Sequence, residues 1–280
     1  MSLPADSHVH TEWSWDATDG SMLATCRRAE ELGLPAVAFT EHVDHTVLRL
    51  GGDVDPHLAR LAVDGRLSPP AFDATGYLAS VAECRDRHPG LRILSGLEIG
   101  EPHRHRDQVA AVLAAGTFDR VLGSVHALAD GAHFSEPDAL WDHRDPHEVV
   151  RSYLGEVAEL AASDAPFEVL AHIDYPVRSW PAAAGPFAPD VFVDELRHVL
   201  GVLAASGRAL EVNTRVPLSG TILSWWREEG GTSISFGSDA HDPTSVARGL
   251  EDARHLAEAT GFRPGREAHH LWGAAHRALR

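Results

Sequence analysis

Seven short apolar, β-branched runs recur along the chain, and a stretch of helical periodicity separates each consecutive pair. The runs are Ala5–Val9, Ala36–Thr40, Leu91–Ile99, Arg120–Val125, Glu168–Ile173, Ala209–Asn213 and Ser233–Gly237. The helical stretches are Ser21–Leu32, Asp73–Arg87, Asp107–Ala115, His147–Ala162, Asp190–Ala205 and Ser219–Glu229, with Thr244–Thr260 after the last run. Strands alternating with helices of this length build βα units around a parallel sheet. No Gly-x-Gly-x-x-Gly follows the first strand, so a closed or nearly closed barrel is expected in place of a dinucleotide-binding sheet. No interdomain linker interrupts the pattern, and residues 1–280 read as a single domain. The Pro/Gly-rich stretches 49–70 and 176–190 read as long loops on one face.

In such barrels chemistry gathers at the C-terminal ends of the strands. Here those ends read His8-Val9-His10, Thr40-Glu41-His42, Glu98 within Gly96-Leu97-Glu98-Ile99-Gly100, Gly123-Ser124-Val125-His126, Ala171-His172-Ile173-Asp174, Glu211-Val212-Asn213-Thr214 and Gly237-Ser238-Asp239-Ala240-His241. All but the sixth end in a His, Asp or Glu able to bind metal; the sixth ends in Asn213. Residues two apart on a strand project to one side, so His8 and His10 can share an ion, as can Asp239 and His241. In a closed barrel the first and last strands are neighbours, which sets these pairs face to face.

The composition agrees. There are 19 His but only two cysteines, Cys26 and Cys84, and imidazole and carboxylate donors without thiolate suit zinc, manganese or iron. More ligands than one ion can use imply two or three ions sharing a carboxylate. Without ions, so many polar groups buried together would be costly. All 24 basic residues are Arg, which excludes Schiff-base, pyridoxal and P-loop lysine chemistry. A net charge of −17 opposes binding to long nucleic acids or acidic membranes. The apolar runs fall short of a membrane span, and Met1-Ser2-Leu3-Pro4-Ala5 begins no secretory signal, so a cytoplasmic chain is expected.

The remaining histidines divide by position. His57, His88, His198, His255, His269, His270 and His276 are expected on solvated loops and helix faces. His103 and His105 follow the third strand, and His45, His133, His143 and His147 fall in loops over the same face. Trp180, Trp225 and Trp226 are expected as core or loop anchors, and the two cysteines as inert.

The ordered set His8-x-His10, Glu41-His42, Glu98, Gly-Ser-x-His126, His172-x-Asp174, Asn213 and Asp239-x-His241 resembles the PHP (polymerase and histidinol phosphatase) superfamily across residues 6–241. The resemblance implies a distorted, TIM-like (β/α)7 barrel with up to three divalent metals and phosphoester hydrolysis. Carried onto this chain, one ion would take His8, His10, Glu98 and Asp239. A second would share Glu98 and add His126 and His172. A third would take Asp16, His42 and His241; Glu12 and Asp19 lie near Asp16. Gly-Leu-Glu-Ile-Gly, Gly-Ser-Val-His and the Asn-Thr pair are similar to histidinol-phosphate phosphatases of histidine biosynthesis. Two features depart from that pattern: the run Asp174-Tyr175-Pro176-Val177-Arg178, and Arg215 directly after Asn213-Thr214.

The expected activity is therefore removal of phosphate from a small phosphomonoester, foremost L-histidinol phosphate, by a metal-bridged hydroxide. Arg178 and Arg215, beyond neighbouring strands, can contact the phosphate, and Asp174 or His45 can protonate the leaving alkoxide. The competing readings are a phosphodiesterase or nucleotide phosphoesterase, and a metal-binding module without turnover.

Overall fold

The computed structural model describes residues 3–51 and 56–274. Seven parallel strands run through it: β1 (Asp6–Val9), β2 (Ala36–Val43), β3 (Arg92–Gly100), β4 (Arg120–Ser124), β5 (Val169–Leu170), β6 (Ala209–Asn213) and β7 (Ser233–Gly237). They lie side by side in chain order, and a hairpin of β8 (Phe262–Arg263) and β9 (Trp272–Ala274) follows β7 in the same sheet. The sheet curls. At its N-terminal end β7 bonds to the antiparallel β9, Ser233 facing Gly273. At its C-terminal end the chain turns to β1: Asp239 N–H donates to His8 O at 2.8 Å, and His10 N–H to Ala240 O at 2.8 Å. The contact that brings the first and last parallel strands together thus sits where the candidate ligands are.

The helices cover the outer face: α1 (Met22–Leu32), α2 (Ala74–Arg87), α3 (Arg106–Leu113), α4 (Pro146–Ala162), α5 (Val193–Ser206), α6 (Gly220–Glu228) and α7 (Leu250–Ala259). Two start later than the periodicity suggests. A 3-10 turn over Pro189–Phe192 precedes α5, and another over Pro243–Ser245, capped by Asp242, precedes α7. Both begin with proline, which suits the first position of a turn. Buried polar groups are matched across the layers. The fully buried Tyr77 of α2 donates its hydroxyl to Phe39 O at 2.6 Å and accepts from Gly96 N–H at 2.8 Å, joining β2 to β3. Trp225 and Trp226 are core residues, while half-buried Trp180 is tied to Gly185 O at 2.8 Å. Cys26 and Cys84 are buried and unbridged, and burial pushes both thiols up.

The stretch 49–70 is not a plain loop. Leu48–Arg49, Ala62–Val63 and Arg66–Leu67 join Leu128–Asp130 and His133–Ser135 in a separate five-stranded sheet, with a short helix over Pro56–Leu61. Most of these strands are two residues long, too short to show a period. The stretch 176–190 is likewise wound into 3-10 turns, Tyr175–Ser179, Ala182–Ala184 and the start of Pro189–Phe192. His88, expected in solvent, is buried and paired with Glu30 at 2.8 Å; it closes α2 and sits under α1. His276 lies outside the described residues. No described helix is long and apolar enough to cross a membrane.

Candidate metal centre

The C-terminal ends of β1 to β5, with the turn after β7, place their polar side chains around one carboxylate. Glu98, on β3, is fully buried. Its Oε1 lies 2.6 Å from His172 Nε2 and 3.2 Å from His126 Nε2. Its Oε2 lies 3.1 Å from His8 Nε2, 3.2 Å from His42 Nδ1 and 3.3 Å from His10 Nε2. Asp239 stands on the far side of His10, 3.5 Å from its Nε2 and 3.9 Å from His8 Nε2. Asp16 approaches His42 Nε2 at 3.4 Å and His241 Nε2 at 3.2 Å. All nine side chains expected as ligands are thereby brought together.

The grouping differs in detail from the expected sets. Ligand atoms lie within 4.8 Å of one another in three trios: His8, His10 and Glu98; His42, Glu98 and His126; and His10, His42 and His241. His42 thus stands between the second and third expected sites, and His172, Asp239 and Asp16 complete the ring from outside the trios.

These residues fit cations. The Nε2 atoms of His8 and His10 face each other at 3.0 Å, and His10 stacks on His42 with ring centroids 4.1 Å apart. Two buried imidazoles meeting through their Nε2 atoms share a hydrogen if one ring carries it there, and offer both lone pairs to a cation if neither does. Asp16 Oδ1 and His42 Nδ1 are buried without a hydrogen-bond partner, which is the kind of orphaned polar atom that a cation would satisfy. Oxygen and nitrogen donors without thiolate suit zinc, manganese or iron alike.

Electrostatics follows from the crowding. Burial alone would raise Glu98, but His8, His126, His172 and His42 hold it well below the usual carboxylate range. Asp239 is also held well below, Arg178 and His8 outweighing burial. Burial disfavours charge on the imidazoles, yet Asp16 and Glu98 lift His42 to about 9. His10 and His172, where burial prevails, fall to about 4.

Several residues that orient this ring escape sequence reasoning. His10 Nδ1 meets Ser14 Oγ at 3.0 Å, and Ser14 donates to the buried Glu41 at 2.6 Å. His126 Nδ1 meets Asp44 at 3.1 Å, and Trp15 Nε1–H donates to the same carboxylate at 2.9 Å. Glu101 accepts His126 N–H at 2.6 Å and Ala127 N–H at 2.9 Å. Glu101 and Asp239 both take left-handed backbone, with φ of 44° and 53°, a conformation that clusters at functional sites. Of the orienting residues Ser14, Trp15, Glu41, Asp44 and Glu101, only Glu41 carries a sequence signal, its place beside His42.

Above the ring lies a cavity of about 240 Å³. Arg178 and Arg215 both line it. Arg178 donates to Asp239 and lies over the Tyr175 ring, 4.7 Å from its centroid. Arg215 reaches Asp239 at 3.5 Å and His241 Nδ1 at 3.1 Å. Glu136, half-buried, accepts from Tyr175 OH at 3.2 Å and lines the cavity with Asp138; burial and Asp138 push its carboxyl up to about 7.

The two candidate acids are placed elsewhere. Asp174 opens the 3-10 turn Tyr175–Ser179 and faces an apolar crevice with Tyr153 and Ile173, where burial raises it to about 6. His45 points to His105, ring centroids 5.7 Å apart, and does not line the cavity. His103 pairs with Glu156 at 2.6 Å, His105 with Thr46 at 2.8 Å and His143 with Asp130 at 3.1 Å, while His147 stacks on Phe192. None of these four, nor His133, lines the cavity.

The PHP domain family matches residues 6–215, three quarters of the sequence. The chain belongs to the PHP domain family. This PHP domain is 25% identical over 266 residues to a protein named histidinol-phosphatase from Lactococcus lactis, covering 92% of this chain and 91% of that one. It is also 25% identical to a probable histidinol-phosphatase from Clostridium acetobutylicum, over 92% of this chain and 94% of the other. Among solved structures, the Lactococcus lactis histidinol phosphate phosphatase, complexed with zinc, L-histidinol and phosphate, shares the fold with a TM-score of 0.78 at 20% identity. That match covers 97% of this PHP domain and 99% of the other chain.

Proposed function

We propose that this PHP domain is a metal-dependent phosphatase that hydrolyses a small phosphomonoester, L-histidinol phosphate, to L-histidinol and phosphate. Residues 1–280 act as one hydrolase unit on a (β/α)7 framework, in the cytoplasm. The observation that carries the reading is the cluster of nine candidate ligand side chains centred on Glu98, seven of them buried and Asp16 and His241 half-buried, set beneath a small cavity that Arg178 and Arg215 line. The names of the full-length relatives point the same way.

His8, His10, Glu98 and Asp239 would hold one ion, Glu98, His126 and His172 a second, and Asp16, His42 and His241 a third. Bound there, divalent ions supply Lewis acidity at the phosphoryl oxygens and lower the pKa of a coordinated water. Arg178 and Arg215 bind the remaining phosphate oxygens through charge-assisted hydrogen bonds, which strengthen as negative charge builds. Glu136 and Asp138 receive the ammonium of the amino alcohol. Tyr175, Trp15 and Pro137 exclude water from its carbon skeleton. A net charge of −17 opposes binding to a long polyanion, whereas Arg178 and Arg215 line one pocket fit for one small phosphate.

The test is a panel of histidinol phosphate, p-nitrophenyl phosphate and bis-p-nitrophenyl phosphate, assayed with zinc or manganese. The reading requires the highest kcat/KM for histidinol phosphate. Preference for the bis-ester would make the protein a phosphodiesterase, and no turnover of any substrate would make it a silent metal-binding module.

A further inference from the structure

Glu211 is one of the most tightly bound side chains of the site, yet it touches neither the cavity nor any expected substrate. It sits on β6 and is 1% exposed. Its Oε2 accepts the backbone N–H of His172 at 2.8 Å and the Asn213 Nδ2–H at 3.1 Å. Its Oε1 lies 2.6 Å from His8 Nδ1. His8 belongs to β1, so the carboxylate reaches past β7 to meet it. The crossing point is Gly237, the last residue of β7, paired in register with Asn213. A Cβ there would lie 2.1 Å from Glu211 Oε1 and 2.4 Å from the Cβ of His8. Only glycine leaves that passage open. The same construction occurs once more across the ring: a Cβ on Gly100 would lie 2.1 Å from Asp44 Oδ1, the carboxylate that meets His126 Nδ1.

We infer that Glu211, passed over Gly237, is a positioning residue that sets the tautomer of His8 and so determines how tightly the ring around Glu98 holds its metal. An ionised carboxylate can only accept, so the 2.6 Å contact assigns a hydrogen to His8 Nδ1. His8 Nε2, which faces Glu98 and His10, is then the atom left with a free lone pair. A partner of this kind fixes ring orientation and raises ligand basicity, and its loss typically costs 10–100-fold in metal affinity. Because Oε2 holds His172 in the same grip, one side chain ties a ligand of the first expected ion to a ligand of the second.

Replacing Glu211 by Gln keeps size and shape but changes this logic. The two N–H groups at Oε2 demand an oxygen there, so the amide nitrogen turns to His8 Nδ1. His8 then carries its hydrogen on Nε2, the coordinating atom, and cannot ligate without breaking that bond.

The inference rests on the metal-binding part of the proposed function, not on the substrate. Its test is zinc affinity of the whole protein, measured by competition with a chromophoric chelator, for wild type, Glu211→Gln and Gly237→Ala. Circular dichroism of each metal-free protein is recorded alongside. The expected result is a native fold for Glu211→Gln with zinc bound 10–100-fold more weakly. Gly237→Ala, which retains the carboxylate but obstructs its path, should weaken zinc in the same direction. Zinc affinity of Glu211→Gln within threefold of wild type overturns the assignment. So does loss of its fold, which would make Glu211 a structural brace. A wild-type protein that binds no zinc would refute the metal reading itself, whereas a wild type that binds zinc but spares histidinol phosphate would leave this inference standing.

Discussion

Arg178 donates to Asp239, so one of the two arginines lining the cavity is anchored on a carboxylate of the candidate metal ring. The contact is mostly buried and is backed by the Tyr175 face beneath the guanidinium. On the proposed function, an arginine held this way would be positioned for the phosphate before substrate arrives. Arg178→Ala is expected to weaken transition-state binding by about 2–4 kcal/mol, read as a loss of kcat/KM for histidinol phosphate. Unchanged kcat/KM would remove Arg178 from phosphate binding.

Glu98 lies within 3.3 Å of five imidazoles, through both of its oxygens. Glu98→Gln removes the charge from the position that two ions would share. Elemental analysis should show at least one fewer ion per chain, activity should fall by orders of magnitude, and circular dichroism should report an intact fold. Full metal content in the variant would contradict the shared position.

Burial and Asp138 push Glu136 up to about 7. Below that value the carboxyl is protonated and neutral; above it, the charge that pairs with an ammonium is present. KM for histidinol phosphate should therefore fall as pH rises through that value. Glu136→Gln should raise KM above it and flatten the fall. Parallel KM–pH curves for the two proteins would exclude Glu136 from substrate recognition.

Tyr77 joins β2 to β3 by accepting and donating at once. Tyr77→Phe removes the hydroxyl that bonds to both Gly96 N–H and Phe39 O, at a cost of about 1 kcal/mol in urea unfolding. Because this joint lies away from the cavity, kcat/KM should stay unchanged. A variant as stable as wild type would show that water replaces the hydroxyl.

The parallel strands and the convergence of the candidate ligands are legible in the sequence because both obey short periods. Runs such as Ala209–Asn213 stand out by apolar content, and His8 and His10 share a face by a period of two. What escaped depends on contacts across strands. Glu211 sits in a strand-end motif, but its partner is 203 residues away and is reached over Gly237. Asp44 and Ser14 likewise acquire their roles only where loops fold onto His126 and His10. Asp174 looked suited to acid catalysis by its place after His172, yet the 3-10 turn that it opens rotates it toward Tyr153 and away from the cavity. His88 follows a helix, where solvent is the usual expectation, and α1 covers it.

The most direct measurement is phosphate release from L-histidinol phosphate by one preparation in three states: as purified, after chelator treatment and gel filtration, and after zinc or manganese is restored, with metal content determined in each. Turnover that disappears with the metal and returns with two or three ions per chain is the expected result. Phosphate release that survives complete removal of metal, or no release in any of the three states, would contradict it.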